Sequence, residues 1–355
     1  MMRARWWRIL VLVLVCGLVA LAILVSDEQL PVAPRPPVAL PPAVVTLGDS
    51  TLSGEGAGNY VAGTNGENGN WCHRSPAAAV YQLHLPPGIA PIDLACSGAQ
   101  AAQVGSVSDP DAAGTQAQQL GDLARRFRIT DVVIQVGAND DPGFGDVVNR
   151  CVAAWASHSP DGCAGQLRTE WPQRVAQMQP KVLSAVQAVQ AVMARAGYRP
   201  GSYSLALQSY ASPVAPDVVP ALQNLSGCPL LTGDLRWIRD TAVPQLSEAL
   251  REVARQAHVR FLDLSRAGDG HEACAGGTEW FTRLTVDWES LKDDNRASHA
   301  TQESFHSNAA GYAEIGRCMG EFLTSLEINA ACVADQRGDL QAVSERATTA
   351  QSSHP

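Results

Sequence analysis

Five short apolar runs recur through the middle of the chain, at 44–47, 92–95, 132–136, 203–207 and 259–264, each closed by glycine or polar residues. Four longer segments, 116–127, 170–196, 235–257 and 308–326, fall among and after them and carry apolar residues at three- and four-residue spacing. Runs of the first kind suit strands buried on both faces, and segments of the second kind suit helices with one buried face. Their alternation predicts a parallel sheet covered by helices on both sides. In open sheets of this type ligands gather at the carboxyl ends of the strands. Residues that carry chemistry should therefore stand directly after the apolar runs.

The ends of the chain read differently. "MMRARWWR" supplies positive charge and tryptophans, and residues 9–25 follow as an uncharged apolar run. That length is near the lower limit for spanning a bilayer, and the basic flank predicts a cytoplasmic N-terminus with the rest exported. A cleavable signal is the competing reading, because Ala20-Leu21-Ala22 has small residues at the required spacing. Residues 27–43 hold six prolines in seventeen positions and predict an extended spacer. The polar stretch 333–355 predicts a disordered tail. The expected organisation is thus an anchor or signal at 1–26, a linker at 27–43, one globular domain at 44–332, and the tail.

The formal charge is −9, and setting aside Arg3, Arg5 and Arg8 leaves 23 basic against 35 acidic residues. Such a surface repels phosphate backbones, which argues against a nucleic-acid partner. Beyond Cys16 come eight cysteines: Cys72, Cys96, Cys151, Cys163, Cys228, Cys274, Cys318 and Cys332. An even set in an exported chain predicts disulfides, and pairing neighbours (72–96, 151–163, 228–274, 318–332) closes the shortest loops. Zinc is a weak alternative, because no Cys-x-x-Cys occurs and "HEAC" lacks the His-Glu-x-x-His spacing. No metal or cofactor is expected.

Polar clusters do follow the apolar runs. Ser50 lies in "GDSTLSGEGAGNY" after the first, Gly98 in "LACSGAQ" after the second, and Asn139 in "VGANDDPG" after the third. His306, in "QESFHSNAAGY", immediately precedes the last helical segment. A serine hydroxyl becomes a useful nucleophile when a base takes its proton, and histidine is the usual base near neutral pH. Attack on an ester carbonyl creates an oxyanion that needs converging donors. The backbone N–H groups of Ser50 and Gly98 and the side chain of Asn139 offer three. Each block alone has an ordinary explanation as a turn, a tight packing point or a helix cap. Their joint occurrence in one order on successive strand ends favours the catalytic reading.

Together these blocks resemble the SGNH (GDSL-type) hydrolases, and "NWCHRS" at 70–75 is similar to the secreted bacterial esterase/lipase branch. The resemblance covers most of 44–320. It implies a flavodoxin-like three-layer α/β/α sandwich with a central parallel sheet, and a metal-free hydrolysis of acyl or acetyl esters through an acyl-enzyme. It also implies Ser50 as nucleophile, His306 as base, and Ser50, Gly98 and Asn139 as the oxyanion hole. The acid expected three residues before the histidine is Glu303 here rather than aspartate. A backbone carbonyl, or Asp293 or Asp294, are the other candidates for orienting the imidazole. Asp49 is expected to support the loop. The insertion between Asp140 and Glu170 is the expected source of selectivity, and Trp155, Trp171, Trp237, Trp280 and Trp288 are expected mainly to pack. The expected substrate is a small-molecule, glycan or lipid ester outside the cytoplasmic membrane. An acyltransferase using the same acyl-enzyme and a non-catalytic envelope-binding domain are the rival functions.

Overall fold

The computed structural model describes residues 6–7, 13–18, 40–106, 114–294 and 296–345. It divides into two units, Met1–Arg35 and Pro36–Pro355. In the first, residues 6–7 and 13–18 are helical. Most of the predicted membrane or signal segment, and most of the predicted linker, lie outside the described residues. Among the described residues no helix is long and apolar enough to cross a membrane.

In the second unit, seven strands form one sheet in the order β2-β1-β3-β4-β5-β6-β7. The strands are β1 (Pro42–Gly48), β2 (Ala90–Asp93), β3 (Arg128–Gln135), β4 (Ser204–Gln208), β5 (Arg260–Asp263), β6 (Asn329–Ala334) and β7 (Leu340–Ser344). The first five match the apolar runs, and all pairings are parallel except that of β6 with β7. Strand β1 is an interior strand buried along nearly its whole length, with Val45 opposite Ile92 on one side and Val132 on the other. β-Branched residues dominate here because both faces of the strand are covered.

The helices are α1 (Ser50–Ser53), α2 (Ala101–Gly105), α3 (Gln116–Leu123), α4 (Phe144–Ala156), α5 (Ala164–Arg195), α6 (Thr232–Trp237), α7 (Val243–Ala257) and α8 (Ala309–Thr324). Helices α2, α3 and α7 pack on α5, while α8 packs against the 3₁₀ turn Ala79–Gln82 and β7. The expected α/β fold with a central, mostly parallel sheet is therefore present. Its first five strands follow the order that places a switch point beside β1. Helix α5 begins six residues before the predicted start. Its first N–H groups are satisfied from a distance: Asp234 accepts from Cys163 N at 3.1 Å and Ala164 N at 2.8 Å. A cap supplied by a residue seventy positions away leaves no local signal.

The predicted boundary at 332 needs correction. Residues 333–344 continue the sheet as a hairpin, with Gly338 at φ +90° and Asp335 accepting from the N–H groups of Arg337 and Asp339 in the turn. Leu340 is fully buried, and Cys332 is bonded to Cys318 of α8. An edge strand needs few apolar residues, so its polar composition resembled that of a disordered tail. All four neighbour disulfides are formed: Cys72–Cys96, Cys151–Cys163, Cys228–Cys274 and Cys318–Cys332.

Candidate functional site

Strand β1 ends at Gly48, and no other residue fits there. A Cβ on Gly48 would stand 1.9 Å from the carbonyl oxygen of Gln135 on β3. The chain turns at once into α1, whose N-cap is Asp49. Asp49 Oδ1 accepts from Thr51 N at 3.1 Å and from the Thr51 hydroxyl at 2.8 Å, while Oδ2 accepts from the Tyr210 hydroxyl at 2.6 Å. Burial pushes the Asp49 carboxyl up to about 6, against the pull of these hydrogen bonds. The cap fixes Ser50 as the first residue of the helix, where a backbone N–H has no intrahelical partner. Among the described residues neither the Ser50 nor the Gly98 N–H finds an acceptor.

His306 comes from the other end of the chain and meets Ser50. Its Nε2 lies 2.7 Å from Ser50 Oγ, and its Nδ1 lies 3.1 Å from the carbonyl oxygen of Ser304. A carbonyl oxygen only accepts, so Nδ1 carries the proton and Nε2 is left as the acceptor for the serine hydroxyl. Both residues are buried. Burial lowers the imidazole from its usual value, and the charge of Glu55 and the Ser304 carbonyl act in the opposite direction. Phe144 sets its ring edge-on to the imidazole, with centroids 5.4 Å apart.

Glu303 does not take the role expected of it. Its Oε1 accepts from the Tyr60 hydroxyl at 2.7 Å, and its backbone carbonyl accepts from the Thr282 hydroxyl. The carboxylate makes no hydrogen bond to His306, and neither do Asp293 and Asp294. Ser304 stands only two residues before the histidine, close enough for its carbonyl to reach Nδ1, while the Glu303 side chain is drawn to Tyr60.

The backbone around Glu55 is packed against this pair. A Cβ on Gly56, which has φ +84°, would come 2.9 Å from the Ser307 carbonyl oxygen and 3.0 Å from His306 Cβ. The Tyr312 hydroxyl donates toward Ser50 O at 3.2 Å and Glu55 O at 2.9 Å. Glu55 itself is a fully buried acid, contacted by His73 Nδ1 at 2.8 Å, Gln302 Nε2 at 2.8 Å and the Tyr60 hydroxyl at 3.3 Å. Burial alone would raise its carboxyl, but the His73 hydrogen bond and the nearby imidazoles hold it below the ordinary value. Tyr60 also stacks on His73 with centroids 4.2 Å apart.

This arrangement gives "NWCHRS" a structural role that extends beyond the disulfide expected at Cys72. Cys72 bonds to Cys96, Arg74 Nε donates to Ala95 O at 2.8 Å, and His73 reaches Glu55. The segment straps the loop after β1 to the loop that carries Gly98. Glu55, Tyr60 and Gln302 were missed because nothing in their local sequence marks a buried network assembled over almost 250 positions.

Gly98 and Asn139 stand beside the pair, lining a cleft that also holds Ser50 and His306. Asn139 Nδ2 donates to Ala99 O at 3.2 Å, which leaves one amide hydrogen for another acceptor. On the other side of Ser50 lies a cavity of about 120 Å³ with apolar walls, among them Val147, Trp171, Leu230, Ile238, Leu246 and Ile315. Part of that wall comes from the insertion after Asp140, which forms α4 and is held to α5 by Cys151–Cys163. Another part is a π-helical turn at Ile238–Ala242. Trp171 and Trp237 pack edge-on with centroids 5.7 Å apart, and Trp280 stacks on His271. Trp155 is half-buried, and Trp288 is exposed. Among the described residues one group has the makings of a metal site, Cys151, Cys163 and Asp234. Its thiols are joined as a disulfide and its carboxylate caps α5, so it offers no free donor set.

A family model described as the GDSL-like lipase/acylhydrolase family matches residues 46–314. A protein of Streptomyces coelicolor described as Lipase 2 is 28% identical over 248 residues, covering 68% of this chain and 76% of its own. Among solved structures, phospholipase A1 from Streptomyces albidoflavus aligns with a TM-score of 0.55 at 24% identity, over 77% of this chain and 95% of that one. An extracellular lipase from Streptomyces rimosus aligns with a TM-score of 0.51 at 20% identity, over 77% of this chain and 97% of that one.

Proposed function

The chain belongs to the GDSL-like lipase/acylhydrolase family and is a carboxylic ester hydrolase, and from that premise we propose that Ser50 and His306 carry its reaction, outside the cytoplasmic membrane. The observation that carries the assignment is the 2.7 Å approach of His306 Nε2 to Ser50 Oγ, with the other ring nitrogen held by Ser304 O. His306 takes the hydroxyl proton as Ser50 Oγ bonds to the ester carbonyl carbon. The resulting oxyanion is met by the unpartnered N–H groups of Ser50 and Gly98 and by the Asn139 amide. Collapse expels the alcohol, which receives the proton from Nε2. Water, deprotonated at the same nitrogen, then opens the acyl-enzyme and releases the acid and Ser50.

The apolar cavity beside Ser50 supports an acyl rather than a charged group on the carbonyl side. The four disulfides, and the extracellular lipase from Streptomyces rimosus among the structural neighbours, support an extracytoplasmic location. The N-terminal basic-apolar segment supplies the export signal or anchor.

The test is Ser50→Ala, with fluorophosphonate labelling of the parent protein read by mass spectrometry. The expected result is a folded variant without p-nitrophenyl acetate hydrolysis and a label on Ser50. Retained hydrolysis in the variant, or a label elsewhere, sinks the assignment.

A further inference from the structure

Ser50 and His306 stand at the junction of two chemically different spaces. One is the apolar cavity described above. The other is a cleft of about 420 Å³ that Gly98 and Asn139 share with Ser97, Gln103, Asn149, Ser298, Thr301 and His299. Among the described residues its walls contain no lysine, arginine, aspartate or glutamate. The cationic side chains nearby are otherwise engaged. Arg74 donates to the Ala95 and Leu94 carbonyls, Arg150 pairs with Glu170, and Arg296 lies over the Trp71 ring at 4.7 Å.

The uncharged polar groups, by contrast, have unused hydrogen-bonding capacity. Asn149, Ser298 and Thr301 are exposed and make no side-chain hydrogen bond among the described residues. Gln103 spends its oxygen on Gln100 N at 2.9 Å and keeps its amide hydrogens. One wall is held flat and rigid: His299 stacks on Trp71 with centroids 3.9 Å apart and planes 3° apart, and its Nδ1 meets Gln302 Oε1 at 2.5 Å.

We propose that this cleft is the alcohol-side subsite and that it takes a neutral polyol, so that the natural ester joins an acyl chain to a sugar or glycerol. This rests on the assignment of Ser50 as nucleophile. A ring of unpaired donors and acceptors with no charge matches hydroxyl groups, each of which both gives and receives a hydrogen bond. A phosphate-bearing alcohol would enter a cleft with no cation to receive it. The acyl half then lies in the apolar cavity and the alcohol half in the polar cleft, with the scissile carbonyl between them at Ser50.

The experiment compares four esters of one acyl chain: an ethyl ester, a monoacylglycerol, a 6-O-acylglucose and a lysophosphatidylcholine. Two or more added hydrogen bonds predict kcat/KM at least about tenfold higher for the polyol esters than for the ethyl ester. The ratio between the glycerol and glucose esters identifies the source of the polyol. In the double variant Asn149→Leu/Thr301→Val the polyol-to-ethyl ratio should fall toward one. The inference is overturned if the ethyl ester is cleaved as well as the polyol esters, or if lysophosphatidylcholine is preferred. Loss of every activity, together with unlabelled Ser50, would instead overturn the underlying assignment.

Discussion

The hydroxyl of Tyr60 donates a 2.7 Å hydrogen bond to Glu303 Oε1, and this contact occupies the acid that precedes the histidine by three residues. The imidazole is oriented by the Ser304 carbonyl instead. A neutral carbonyl fixes the tautomer as a carboxylate would, but adds less stabilisation to the imidazolium that forms during attack. Glu303→Gln keeps an acceptor for Tyr60 and leaves the Ser304 contact untouched. Its expected kcat/KM is within about tenfold of the parent, well short of the loss of roughly 10⁴ that follows when a triad acid is replaced by its amide. A drop of that larger size would show that Glu303 acts on His306 directly.

The imidazole must be neutral to accept the serine proton. Burial lowers His306 from its ordinary value, so the acid limb of kcat/KM is expected below the usual histidine value of about 6.5. Glu55 opposes that shift through its negative charge. Glu55→Gln removes the charge, so the limb should move to still lower pH. The same change disturbs a buried acceptor with three side-chain partners and should cost about 1–3 kcal/mol of stability. The pH profile separates the two effects, since a purely structural role would lower Tm while the limb stayed in place.

Most of the sheet was legible because β1, β3 and β4 are largely buried, and the first five strands all read as apolar runs. Strand β7 was not, since only Leu340 of its five residues is fully buried. Ser50 and His306 were legible for a related reason: each follows or precedes a strong periodic element at the sheet's carboxyl edge. Their partners were hidden. Tyr60, Glu55, His73 and Gln302 meet only when the chain from β1 folds over the loop before α8, and a backbone carbonyl such as that of Ser304 has no sequence signature. Glu303 shows the converse, since a residue of the right type at the right spacing was claimed by a tyrosine 243 positions away.

The apolar cavity should set acyl length. Val147 lines it from α4 and is only partly buried, so a larger side chain can enter from the cavity side. Val147→Phe fills part of a space of about 120 Å³, with an overpacking cost of about 1–3 kcal/mol. The ratio of kcat/KM for hexanoate over acetate p-nitrophenyl esters is expected to fall several-fold. An unchanged ratio in a folded variant would mean that the acyl chain lies elsewhere.

Asp49 links the site to stability through pH. Its carboxyl sits at about 6 in the folded protein, against 3.8 as a free side chain, because burial penalises its charge. Between those values the folded state keeps a proton that the unfolded state has released, so stability falls as pH rises from about 4 to 6. Asp93, also raised to about 6 by burial, acts in the same direction. Asn stands in for the protonated form of Asp49: its oxygen can still accept from Thr51, and its amide can donate to Tyr210, whose hydroxyl oxygen already accepts from Ala138 N at 3.2 Å. Asp49→Asn should therefore match the parent near pH 4 and exceed it in stability above pH 6, by at most ~3 kcal/mol. Chemical denaturation at the two pH values measures the gap. A difference that does not change with pH would mean that Asp49 is ionised in the folded protein throughout, with its hydrogen bonds outweighing its burial.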